Sequence, residues 1–107
     1  MVLQFSDYIA VAFLNIMLYS ILMSKDEKLL QRFLSRPKDF SYNEMKKLLK
    51  GLGYEESNQG KTSGSRVAFI NMESKHIIRL HKPHPGNELK MYQLDQVREE
   101  LSERGLI

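Results

Sequence analysis

The chain has no cysteine, which excludes disulfides, thiolate zinc sites and cysteine nucleophiles and agrees with a reducing, cytoplasmic setting. Stability must therefore come from packing. Its 107 residues leave room for one domain, whose apolar side chains fill a single modest core. Charge of one sign is also scarce overall. Sixteen Lys and Arg against 13 Asp and Glu give +3, too little to mark a polyanion binder by itself. Internal repeats and low-complexity segments are absent.

Lys and Arg are missing from residues 1–23, where the only acid is Asp7 and an apolar run extends from Ile9 to Met23. A signal peptide needs a basic leader and a small-residue cleavage site, and neither is present. A spanning helix needs about 20 predominantly apolar residues, whereas this run is shorter and broken by Asn15 and Ser20. Residues 1–23 are thus read as an apolar helical extension, with the domain proper at 24–107. The plainer explanation is a start assigned too early, with Met23-Ser-Lys-Asp-Glu-Lys28 opening the native product. A docking helix and a weak membrane anchor are the alternatives, and membrane association is not expected.

What is present becomes ordered after residue 25. Leu29, Leu30, Phe33 and Leu34 have helical spacing, and Arg36-Pro37 stops the helix because a residue before proline avoids the α region. Ser41-Tyr-Asn-Glu44 has the capping-box pattern that starts a second helix. Its core face is Met45, Leu48, Leu49 and Leu52, with Lys46, Lys47 and Lys50 off that face, and Gly53 supplies a left-handed stop. Residues 54–58 form a candidate strand. Residues 66–71 and 76–80 read as a hairpin joined by a turn at 72–75, and residues 59–65 and 81–87 as two loops, the second rich in proline and glycine. A last helix over 91–104 places Leu94, Val97 and Leu101 on one face and ends at Gly105. The class is α+β. Both amphipathic helices should cover one face of a three-stranded antiparallel sheet and leave the other open.

The basic residues concentrate where the sheet and its loops lie. Residues 61–90 hold Lys61, Arg66, Lys75, Arg79, Lys82 and Lys90 against Glu73 and Glu88, together with all three histidines, His76, His81 and His84. Gly60-Lys-Thr-Ser-Gly64 superficially suggests a phosphate loop, but it lacks the full spacing and does not precede a helix. Nucleotide binding is not expected there.

Four motifs occur in a fixed order: Leu48-Leu-Lys-Gly-Leu-Gly-Tyr54, then Gly64-Ser-Arg66, then His84-Pro-Gly-Asn-Glu-Leu-Lys90, then a closing helix before Gly105-Leu106. In this order the chain resembles the HicA family of type II toxin-antitoxin mRNA interferases over about residues 41–107. The resemblance implies a double-stranded-RNA-binding-domain-like fold. It also implies cleavage of mRNA, usually without a required metal or cofactor, and neutralisation by a HicB-type antitoxin. The family's catalytic histidine follows Gly-Ser, where this chain has Arg66. A guanidinium stays protonated and cannot serve as an ordinary general base.

Cleavage within an RNA strand requires removal of the 2′-OH proton, stabilisation of charge on the phosphate and protonation of the leaving oxygen. His84 and His81 are therefore the candidate proton-transfer residues, with Arg66 as the third member of the catalytic set. Lys61, Ser65, Arg66, Arg79, Lys82 and Lys90 are the candidate RNA contacts. No metal site is expected from the spacing of His and carboxylate residues. Against these stand plainer roles: a turn histidine for His84, a structural His76 and a solvated strand-edge arginine for Arg66. Two other functions compete with the nuclease, namely a non-catalytic RNA-binding module and a basic protein-interaction domain.

Overall fold

Capping and side-chain period, rather than composition, set where each helix begins and what it covers. A computed structural model of the chain describes residues 4–22, 24–57 and 65–107. The elements are α1 (Phe5–Leu22), α2 (Lys25–Leu34), α3 (Tyr42–Gly51), β1 (Tyr54–Ser57), β2 (Arg66–Asn71), β3 (Ile77–His81) and α4 (Met91–Glu103).

The apolar extension is helical, as α1. Apolar residues lie all round it, so it has no single face to turn towards a core, and Ile9, Phe13, Leu14, Ile16 and Leu18 are exposed. Among the described residues no helix is long and apolar enough to cross a membrane.

Helix α2 begins at Ser24, whose hydroxyl accepts from the Glu27 amide at 3.1 Å. It ends at Leu34, just before Arg36-Pro37, as the sequence predicts. Arg36 adopts a left-handed φ of +53° rather than the extended backbone usual before proline. Its guanidinium donates to both Asp95 oxygens at 2.8 Å, a bidentate contact with α4. The predicted capping box of α3 is present: Ser41 Oγ accepts from the Glu44 amide and Glu44 Oε1 accepts from the Ser41 amide, both at 3.1 Å.

Glu44 also joins α2 to α3, since its carboxylate accepts from Arg32 Nε at 2.7 Å and Nη2 at 3.2 Å. The Arg32 hydrogen bonds hold the Glu44 carboxyl below the usual glutamate range. A carboxyl more acidic when folded than when unfolded adds stability that is present above the ordinary glutamate range. That stability is lost as pH falls through the folded value. Thermal melts of Glu44→Gln between neutral and acid pH should therefore show a lower midpoint at neutral pH and a shallower acid decline than the parent. Parallel curves would refute this.

The sheet has the order β1-β2-β3 and is antiparallel throughout. Alternation puts Val67, Phe69, Ile78 and Leu80 in a core shared with Met45, Leu48 and Leu49 of α3 and Leu94, Val97 and Leu101 of α4. Both helices thus cover one face, as expected for a double-stranded-RNA-binding-domain-like arrangement. Because β2 is the central strand, Arg66 is not a strand-edge residue and does not discourage edge pairing. Strand β3 runs one residue later than predicted. The His76 carbonyl accepts from the Asn71 amide at 2.9 Å and closes the turn, while the ladder continues to the Arg66–His81 pair.

Buried Asn71 organises that turn. Its Oδ1 accepts from the amides of Glu73 and Ser74 at 3.0 and 2.9 Å, and its Nδ2 donates to the Leu52 carbonyl at 3.3 Å. Gly53, at φ +94°, approaches the same amide so closely that a Cβ would lie 3.4 Å from Nδ2. His76 has a structural setting: its Nδ1 and the buried Tyr54 hydroxyl are hydrogen-bonded at 2.7 Å, and its Nε2 lies 3.6 Å from Glu100 of α4.

Candidate nucleic-acid interface

Cross-strand partners in an antiparallel sheet point to the same face, so the open face follows from the register. Arg66 stands opposite His81, Ala68 opposite Arg79, and Ser57 opposite Ala68. These residues line a cleft of about 320 Å³ on the side away from the helices. A second cleft, of about 540 Å³, is lined by Ser65, His81, Lys82, His84, Lys90 and Tyr92 among others. The two adjoin at His81, which lines both.

The loop between β3 and α4 carries His84 and is held at both ends. At its start the Lys82 amide donates to the Ser65 carbonyl at 2.7 Å, extending the β2–β3 pairing by one step. At its end the Tyr42 amide donates to the Asn87 carbonyl at 2.7 Å, and the Leu89 amide to the Phe40 carbonyl at 2.8 Å. Leu89 itself is buried in the core. Buried Gln93, in the first turn of α4, joins the two ends: its Nε2 donates to the His81 carbonyl at 2.9 Å and its Oε1 accepts from the Lys90 amide at 3.0 Å. The backbone on either side of the histidines is therefore fixed, while both imidazoles are exposed. His81 Nδ1 lies 3.4 Å from Ser65 Oγ.

Lys82 has a divided role. It lines the larger cleft, yet its Nζ lies 5.4 Å from the Tyr42 ring centroid and 3.8 Å from Glu56 Oε1. Glu56 also meets Lys46, at 3.1 Å. Burial pushes the Glu56 carboxyl up, but Lys46, Tyr42 and Lys82 together outweigh burial and hold it below the usual range. The Tyr42 hydroxyl, buried beside this carboxylate without an aligned hydrogen bond, is raised by burial first and by Glu56 second. This cluster draws Lys82 towards α3 and β1 and softens its charge at the cleft.

The structure thus brings together Ser65, His81, Lys82, His84 and Lys90 around one cleft, and Arg66, Arg79 and His81 around the next. Lys61 and most of the preceding loop lie outside the described residues. Sequence reasoning missed Tyr92, Gln93 and Glu56. Tyr92 lay off the apolar stripe of its helix, and neither the His81–Gln93 bond nor the Lys82–Glu56 pair has a local signature.

Chemically, the clefts combine two imidazoles, two guanidinium groups suited to a planar oxyanion and two ammonium groups. Among the described residues no three His, Cys, Asp or Glu side chains converge as a metal-binding set. In comparisons with known proteins, a model of the family described as the HicA toxin of bacterial toxin-antitoxin systems matches residues 42–102. No curated protein and no solved structure matches the chain.

Proposed function

The chain belongs to the HicA toxin family, and from that premise we propose that it is a toxin that binds and cleaves mRNA, with a HicB-type antitoxin as its neutralising partner. The observation that carries this reading is the pairing of Arg66 with His81 across the β2–β3 ladder. An imidazole lines the same cleft as Arg66, the arginine found where the resemblance implies the family's histidine.

In this scheme His81 takes the 2′-OH proton and the freed oxygen attacks the adjacent phosphorus. The bond to the 5′ oxygen breaks, and His84 returns a proton to that leaving oxygen. Arg66 holds the phosphate through paired N–H donors, while Arg79, Lys82 and Lys90 keep the flanking strand in place. Ser65, 3.4 Å from His81 Nδ1, steadies the ring. No metal or cofactor is assigned a step. The open sheet face, with Arg66 and Arg79 beside Ala68, is the surface an antitoxin would cover, and the cytoplasm is the compartment in which mRNA would be met.

A second reading, RNA binding without cleavage, is favoured by one observation: a guanidinium at position 66 cannot perform the histidine's proton transfer. Purified parent and Arg66→His proteins incubated with single-stranded RNA separate the two. The parent should cleave, and the substitution should weaken binding and reduce the slope of log affinity against log salt by about one phosphate contact. Cleavage by Arg66→His alone would instead establish the binding-only reading for the native chain.

A further inference from the structure

Outside α1, the exposed large apolar side chains among the described residues are Met72, Tyr92 and Leu106. Of these, Tyr92 lines the larger cleft, together with His81, Lys82, His84 and Lys90. The other aromatic residues of the described domain have settled environments: Phe33, Phe40, Tyr54 and Phe69 are buried, and Tyr42 is half-buried against Phe69 and Lys82. Tyr92 is 62% exposed and has no ring partner among the described residues.

Its position is nevertheless fixed. Tyr92 is the second residue of α4, and the next residue is the buried Gln93 that grips the His81 carbonyl and the Lys90 amide. Ring and imidazole therefore stand on one braced unit, with a flat apolar surface beside two cationic side chains. Glu88 is the only carboxylate among the residues lining this cleft.

We infer that Tyr92 is a stacking platform for one unpaired nucleobase of the bound RNA, adjacent to the nucleotide whose phosphate meets His81 and His84. This rests on the RNA-binding reading above and adds a strand-state preference to it. Every base offers a π-face to an aromatic ring when single-stranded, and base pairing and stacking in a duplex hide it. Single strands thus gain from Tyr92 and duplexes do not. Phosphate contacts made by the lysines and arginines serve both forms.

The test uses fluorescein-labelled 2′-O-methyl RNA, which cannot be cleaved through the 2′ oxygen, as a single strand and as the matched duplex. Anisotropy should show Tyr92→Ala weakening single-strand binding about 5- to 150-fold, the range of one base–aromatic stack. Duplex affinity and the salt slope should be unchanged, because no phosphate contact is lost. Tyr92→Trp should retain single-strand affinity within about threefold. As the chain contains no tryptophan, the new indole fluorescence should change on adding the single strand but not the duplex.

Equal affinities for parent and Tyr92→Ala, or equal losses on both RNA forms, would overturn the inference while leaving RNA binding intact. A parent protein that binds neither form would overturn the functional reading first and this inference with it. Unchanged melting midpoints of both variants, expected for so exposed a side chain, show that the comparison concerns folded protein.

Discussion

Replacing His81 by alanine is expected to lower RNA cleavage by about 10²- to 10⁴-fold, the usual contribution of a positioned acid or base, with RNA affinity changed far less. The His81 side chain is exposed, and the bond that ties this residue to α4 runs from Gln93 to its backbone carbonyl. Alanine keeps that bond, so the fold should survive. Cleavage rates across pH sharpen the assignment, because loss of the base removes one limb of a bell-shaped profile and loss of the acid removes the other. His84→Ala should affect the opposite limb. The double variant should fall little below the worse single one, since paired proton-transfer groups are strongly non-additive. Cleavage by His81→Ala within about twofold of the parent would end this assignment.

Leu89→Ala should lower the stability of the whole domain by about 2–5 kcal/mol, the range for truncating a buried leucine, read as a fall in the urea midpoint. Leu89 is 2% exposed and sits between the loop that carries His84 and the first turn of α4, and its backbone amide donates a hydrogen bond to the Phe40 carbonyl. Natural domains have only about 5–15 kcal/mol in total, so the loss is a large fraction of what holds the fold. A drop below about 1 kcal/mol would mean that the backbone bonds alone secure the loop. Lys90→Ala, one residue away but exposed, should leave the midpoint nearly unchanged and so separates core anchoring from cleft charge.

The elements of this fold were largely legible because they are locally encoded. Met45 and Leu49, and Leu94 and Val97, repeat at helical spacing, Ser41 and Glu44 form a reciprocal cap, and Gly53 and Gly105 both adopt the left-handed backbone expected at helix ends. The six residues of β2 emerged with the predicted limits. Features that depend on a distant partner were not legible. Arg36 takes a left-handed turn beside Asp95, 59 residues away. β3 ends at His81 rather than Leu80 because pairing with Arg66 extends it.

The candidate site divides along the same line. Its basic and imidazole residues could be named from sequence, since charge and titrating groups are properties of residue type. Their grouping could not. The sequence by itself determined an α+β order with one open sheet face and a family resemblance that a family model supports. Only the tertiary structure decided that Arg66 and His81 share a cleft, that Glu56 holds part of Lys82's charge, and that Tyr92 stands bare at the rim. Strand register and loop anchoring settle these relations, and both arise from hydrogen bonds and packing between segments far apart in the chain.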